Sequence, residues 1–284
     1  MPAPCGRLIG LAQLSLLSAA PPQLVEHAAA SGFDFIGVRV RPVTPTETPY
    51  DVQPGSAMLA ETLARMSDTG VVVKDIEFLL LDGTDQREAW LQMFEAGQAL
   101  GADSLTVACG DPDLTRAQDT LAQMAEDGRA YGITPALEAI SYQTVDSIPL
   151  ADRLAQHAGC DILVDTLHVG RFGGTADQLQ AAAGRAPLVQ FCDAPASRPA
   201  DRDGLVLESR SERLAPGEGG LDLLGVLTAL ERGLEGTPRA GTLLPVSVEV
   251  PNNAQTARLG AQAWVDHLMR TTTALLETIE ESRA

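Results

Sequence analysis

A glycine followed by a short small or polar step and then an apolar run recurs along this chain. It does so at Gly32-Phe-Asp-Phe-Ile, Gly70-Val-Val-Val, Gly101-Ala-Asp-Ser-Leu, Gly132-Ile and Gly159-Cys-Asp-Ile-Leu. The intervals, about 27 to 38 residues, are each the length of one strand, one helix and two connecting loops. Glycine suits a helix exit, because the backbone turns left-handed there to satisfy the last carbonyls. Each glycine is therefore read as closing one helix and launching the next strand.

The apolar runs are continuous rather than alternating: Leu8 to Leu14, Phe35 to Val40, Val71 to Leu80, Leu105 to Ala108, Ile133 to Ala139, Ile162 to Val169, Leu188 to Cys192 and Leu243 to Val250. Strands of this kind are buried on both faces, as in a parallel sheet clothed by helices. Helix-period segments lie between them, such as Met58, Leu59, Thr62, Leu63 and Met66, or Trp264, Leu268 and Leu275. Eight strand-helix units in 284 residues predict one α/β domain spanning residues 1–284, a single (β/α)8 TIM barrel, with an open doubly wound sheet as the competing architecture. Two irregular segments, Arg41 to Gly55 and Pro195 to Gly220, follow predicted strands and are expected over the mouth of the barrel as lids or substrate-selecting loops.

Composition narrows the partners. Twenty Lys and Arg against 38 Asp and Glu leave a formal charge of −18, which would repel a nucleic-acid backbone. Cys5, Cys109, Cys160 and Cys192 lie far apart, with neither zinc-knuckle nor disulfide-framework spacing, and read as core thiols. Gln13 interrupts the apolar N-terminal stretch and only Arg7 precedes it, which argues against a secretory leader; no run approaches the ~20 apolar residues of a membrane span. A reducing, cytoplasmic setting is expected.

The informative residues break the apolar strand pattern near strand C-terminal ends, where a carboxylate is costly unless a partner or cation compensates it. Strand five ends at Glu138, strand six carries Asp165 with His168, strand seven supplies Gln190 and Asp193, and strand eight supplies Glu249. Glu138 to Asp165 is 27 residues and Asp165 to Gln190 is 25, one barrel unit each; the 59 residues from Gln190 to Glu249 are one unit plus the long loop. Glu138, Asp165, Gln190 and Glu249 would then converge on the barrel axis. Three carboxylates cannot share that space ionised without a cation, so a bound divalent metal is expected. Three carboxylates and an amide oxygen suit Mn²⁺, with Mg²⁺ or Co²⁺ as substitutes, better than Zn²⁺. Of four histidines only His168 falls at a predicted strand end.

Further groups belong to the same mouth. Arg213 heads Arg-Leu-Ala-Pro-Gly-Glu-Gly-Gly, a tight turn before a helix starting near Leu221, where it could clamp a substrate oxygen or anion. Glu77 and Lys74 near the end of strand three could bind hydroxyls or form an ion pair. Arg39 and Arg41 after strand two could steer a carboxylate or phosphate.

Together Leu137-Glu138, Asp165-Thr-Leu-His168, Gln190-Phe-Cys-Asp193, Arg213-Leu-Ala-Pro-Gly-Glu-Gly219 and Val248-Glu-Val250 resemble the xylose isomerase-like TIM-barrel superfamily of sugar phosphate isomerases and epimerases. The resemblance implies a Mn²⁺-type ion on Glu138, Asp165, Gln190 and Glu249, with His168 and Arg213 contacting substrate. Gln190 departs from the epimerase pattern, where histidine is usual, and is similar to the 3-dehydroshikimate dehydratase branch. The endonuclease IV branch needs several histidines and a basic face that this sequence lacks. The resemblance also implies frequent homo-oligomers and a small sugar or keto-acid substrate.

Such a site would perform enolisation of an α-hydroxy ketone, with Glu138 and Glu249 as the acid/base pair. Returning the proton to the other face gives an epimer, and returning it to the neighbouring carbon gives an isomer. Loss of a β-hydroxyl, protonated by His168, gives a dehydrated product. The expectation is a metal-dependent isomerase or epimerase acting through an enediolate, with a dehydratase (lyase) as the alternative and a nonenzymatic polyol-binding barrel as a third.

Overall fold

The computed structural model describes residues 6–283, so Cys5 lies outside the described residues. Eight parallel strands close into one barrel in sequence order, with β8 pairing back onto β1. The strands are β1 (Ile9–Ala12), β2 (Phe35–Arg39), β3 (Val72–Leu81), β4 (Ser104–Cys109), β5 (Thr134–Glu138), β6 (Asp161–Asp165), β7 (Val189–Phe191) and β8 (Val246–Val248). The closed order excludes the open doubly wound alternative.

Helices α1 (Pro21–Ser31), α2 (Ala57–Thr69), α3 (Arg87–Leu100), α4 (Leu114–Gly128) and α5 (Ile148–Ala158) fill the first five crossovers. Short α6 (Thr166–Phe172) and α7 (Ala176–Ala182) share the next; α8 (Arg202–Ser211) and α9 (Leu223–Gly233) follow β7, and α10 (Asn253–Leu259) and α11 (Ala261–Arg283) close the chain. The glycines of the repeat stand where expected, at helical exits with positive φ. Gly32 shows the reason: at φ 86° its N–H reaches the carbonyls of Ala28 and Ala29, ending α1 with three residues left before β2.

The main core lies between the barrel wall and its helical jacket and includes Trp90, Phe94, Met93, Leu24 and Trp264, each no more than 1% exposed. A second, smaller cluster consists of Ala136, Leu163 and Leu188. Side chains alternate across a strand, so these three share their face with Glu138, Asp165 and Gln190, two residues further along. They form an apolar floor beneath the polar strand ends.

Two local readings are corrected. His168 is not on a strand: β6 stops at Asp165, whose carboxylate caps α6 by accepting the Leu167 N–H at 2.7 Å, so His168 sits in the first turn of that helix. The segment Pro195 to Gly220 is not wholly irregular, since it contains α8, capped by Asp201. Among the described residues no helix is long and apolar enough to cross a membrane.

Candidate functional site

Strand register brings the polar ends together. Asp165 and Gln190 are Cα partners across β6 and β7, and Glu138 and Glu249 lie at the C-terminal ends of β5 and β8. Gln190 Nε2 donates to Glu249 Oε1 at 3.0 Å, whereas Gln190 Oε1 is buried with no hydrogen-bond partner. Glu138, Asp165 and His168 each offer one ligand atom within 4.8 Å of the others. Glu138, His168, Arg213 and Glu249 line a cavity of about 450 Å³ at the barrel mouth, with Arg39, Glu77 and Phe78 also on its wall. Asp165 and Gln190 are each 1% exposed.

Arg213 stands inside this carboxylate cluster. Its Nη1 donates to Asp165 Oδ2 at 2.6 Å and lies 3.1 Å from Glu249 Oε2, while Nε donates to the Ser209 carbonyl at 2.8 Å. One compensating cation is thus a protein side chain, and Arg213 contacts the carboxylates as well as the cavity.

The charges are not evenly relieved. Burial pushes Asp165 up, but the Arg213 charge, His168 and the hydrogen bonds to it outweigh burial and hold this carboxyl below its ordinary range. Glu138 is raised well above the usual carboxylate value by burial and by Glu249 and Asp165. Burial lifts Glu249 to about 8 despite Arg213. His168 is lowered to about 4 by burial, Arg213 and Arg171, against the pull of Asp165.

The donor set fits a divalent ion. Burial raises Glu138 and Glu249 although Arg213 stands 3.1 Å from Glu249, and the amide oxygen of Gln190 is an orphaned buried acceptor. The group of ligand atoms that lie within 4.8 Å of one another among the described residues mixes the carboxylates of Glu138 and Asp165 with the His168 imidazole, a set that leaves the identity of a divalent ion open.

Other sequence candidates separate. Asp193 belongs to the loop and not to the cluster: its carboxylate accepts N–H bonds from Ala194, Gly217, Gly219 and Leu221, pinning the turn that follows Arg213. Lys74 lies near the start of β3, not its end, and pairs with Asp103 at 3.0 Å. Arg41 is exposed, whereas Arg39 is 7% exposed and faces the cavity. Of the two segments expected over the mouth, the loop after β2 contributes Val43, Thr44, Thr46, Glu47 and Thr48 to the wall, and the segment after β7 contributes Ser209, Arg210 and Arg213. Cys109, Cys160 and Cys192 are buried free thiols.

Several functional neighbours were not singled out from sequence. Ser141 Oγ is 3.2 Å from His168 Nδ1, Tyr142 packs edge-on to the His168 ring with centroids 5.6 Å apart, and Tyr142 Oη donates to Ser209 Oγ at 3.1 Å. Buried Gln13 joins β1 to β2, its Oε1 accepting the Arg39 N–H at 2.7 Å. Its signal was visible as a polar residue inside an apolar strand run.

The fold and the strand-end cluster define a (β/α)8 barrel with a polar site at its C-terminal mouth. Residues 25–264 match the family model described as "Xylose isomerase-like TIM barrel", and the chain belongs to that family. No curated protein matches the chain. Among solved structures, the IolI protein with a binding zinc atom is similar at TM-score 0.78 and 17% identity, covering 95% of this chain and 98% of its own. A probable 3-DHS dehydratase, AsbF from Bacillus anthracis, is similar at TM-score 0.70 and 14% identity over 94% and 98% of the two chains. D-allulose 3-epimerase from Methylomonas sp., in complex with D-allulose, is similar at TM-score 0.64 and 16% identity over 97% of each. At these identities the likenesses show the fold.

Proposed function

We propose that the protein is a divalent-metal-dependent isomerase or epimerase of a sugar-like α-hydroxy ketone, working through an enediolate. The observation that carries this reading is the meeting of Glu138, Asp165, Gln190 and Glu249 from four consecutive strands beside a cavity that Glu138 and Glu249 line. With an ion such as Mn²⁺ held by those four residues, the site gains a Lewis acid for a carbonyl and its neighbouring hydroxyl.

Glu138 and Glu249 approach the cavity from β5 and β8, so one carboxylate takes the proton next to the carbonyl and the other returns it. Return to the opposite face inverts the centre; return to the adjacent carbon moves the carbonyl. Arg213 holds Asp165 and Glu249 in place and presents its remaining edge to the cavity. His168 is a neutral imidazole whose Nδ1 meets Ser141 Oγ at 3.2 Å and whose Nε2 lies 3.7 Å from Glu138 Oε1. Its place on the cavity wall supports His168 as a substrate contact, and its ring also lies at ligand distance from Glu138 and Asp165.

A dehydratase is the second reading, and Gln190 favours it. The Glu138 carboxyl, raised by burial, is placed to protonate a departing β-hydroxyl, with the neutral His168 ring 3.7 Å away to hydrogen-bond it. Incubation of the Mn²⁺-supplemented protein with candidate ketoses and cyclic keto acids in D₂O tests both. Deuterium next to the carbonyl without an ultraviolet change is expected for epimerisation or isomerisation, and a new conjugated chromophore for dehydration. Exchange or elimination on no ketone or keto acid, by protein shown to carry the metal, overturns the enolising reading. Elemental assay of protein purified without chelator tests the ion separately.

A further inference from the structure

The cavity wall formed by β2 and β3 carries a cation whose hydrogen-bond donors are unused. Arg39, the last residue of β2, is 7% exposed and lines the cavity. Its Nε and Nη1 are buried with no hydrogen-bond partner. Glu77, its Cα partner on β3, offers Oε2 at 3.6 Å from Nε, an ion-pair distance too long for a hydrogen bond. Glu77 Oε2 is itself unpartnered, while Glu77 Oε1 is taken by the Gln13 N–H at 3.0 Å. The pair therefore balances charge and leaves the directional donors of the guanidinium idle.

The arginine is also held in place. Gln13 fixes its backbone N–H, Gln13 Nε2 is anchored on the Ala19 carbonyl at 3.0 Å, and the guanidinium carbon stands 5.6 Å from the centre of the Phe78 ring. A buried, oriented guanidinium on a cavity wall, with Nε and Nη1 unpaired inside that wall, is matched by an acceptor of opposite charge in the cavity. Position sets the length of the ligand: in an eight-stranded barrel β2 lies across the mouth from β6, the strand that ends at Asp165. A cavity of about 450 Å³ between these walls holds one small ring or short chain.

We infer that Arg39 binds a carboxylate of the substrate, so that the compound handled in this cavity is a polyhydroxy keto acid with its acid group on the β2 side and its ketone on the β5–β8 side. Glu77 disfavours a phosphate there, because a second negative charge would face this carboxylate with one guanidinium to offset it. The inference rests on the proposed function in taking this cavity as the substrate site and in placing the ketone on the β5–β8 side.

Titration calorimetry tests it without turnover, so its outcome is independent of the D₂O experiment. The probes are quinate, a cyclic polyhydroxy carboxylate, its methyl ester, and inorganic phosphate. Native protein is expected to bind the acid at least about ten-fold more tightly than the ester and more tightly than phosphate. Arg39→Met should erase the preference for the acid while leaving ester affinity unchanged. Should that variant fail to fold with Glu77 left unpaired, Arg39→Met combined with Glu77→Gln keeps the wall neutral and should give the same loss. Glu77→Gln alone, which removes the negative charge facing Arg39, should tighten acid binding, a change that a purely structural ion pair would not produce. Equal affinity for acid and ester, no binding of either, a preference that survives loss of Arg39, or tighter Arg39-dependent binding of phosphate would each overturn the assignment.

Discussion

Arg213→Met removes the one side chain that bridges two buried carboxylates. The native guanidinium is 1% exposed and holds Asp165 at 2.6 Å and Glu249 at 3.1 Å. Methionine keeps much of the volume and none of the charge. Breaking a buried ion pair by removing one partner costs about 3–5 kcal/mol, because the remaining charge is left uncompensated. For 284 residues, at roughly 2.1 cal/mol/K each, the unfolding entropy is about 0.6 kcal/mol/K, so the expected loss in Tm is roughly 5–8 °C. The assay is thermal unfolding in chelator and again in excess Mn²⁺. If the strand-end oxygens form one electrostatic cluster, the variant should regain more of its Tm from Mn²⁺ than the native protein gains, since the ion then supplies charge that the arginine no longer does. A variant as stable as native protein in chelator would refute the claim that Arg213 compensates these carboxylates. An identical Mn²⁺ increment in both proteins would refute the coupling between arginine and ion.

Three further outcomes are expected. Glu249→Gln should abolish solvent deuterium exchange while leaving the far-ultraviolet circular dichroism unchanged; exchange near the native rate removes Glu249 from proton transfer. Asp193→Asn weakens the acceptor for the N–H groups of Gly217, Gly219 and Leu221, so cleavage in limited proteolysis should appear within residues 214–221, with about 1–3 kcal/mol of stability lost; unchanged protection would show that the loop is held otherwise. Asp75 is raised well above the carboxylate range by burial and by Glu77 and Glu249, so the folded state binds its proton more tightly than the unfolded chain. Its contribution to stability is complete below the unfolded value near 3.8 and is lost as pH rises toward the folded value. Asp75→Asn should therefore raise the urea midpoint at pH 8 more than at pH 4; an equal effect at both would contradict a protonated Asp75.

The glycine repeat and the continuous apolar runs made the barrel legible, because a helix exit and a doubly buried strand each demand particular residue types regardless of neighbours. Glu138, Asp165, Gln190 and Glu249 were legible for a related reason: a polar group on such a strand is costly and stands out. Asp193 stood out equally, yet it turns into the loop to collect backbone N–H groups. His168 shifted from strand to helix because Asp165 caps α6.

What sequence alone determined was therefore the set of elements, their order and the polar strand ends, all of which follow from local conformational preference and periodicity. Which of those groups would meet was decided only by closure of the barrel. Closure puts Arg213 among carboxylates 48 and 36 residues away in the chain, and leaves Arg39 buried beside Glu77 while Arg41 faces outward. The reason is physical: the energy of a buried charge depends on the distance and direction of other charges in space, and neither is encoded in spacing along one strand.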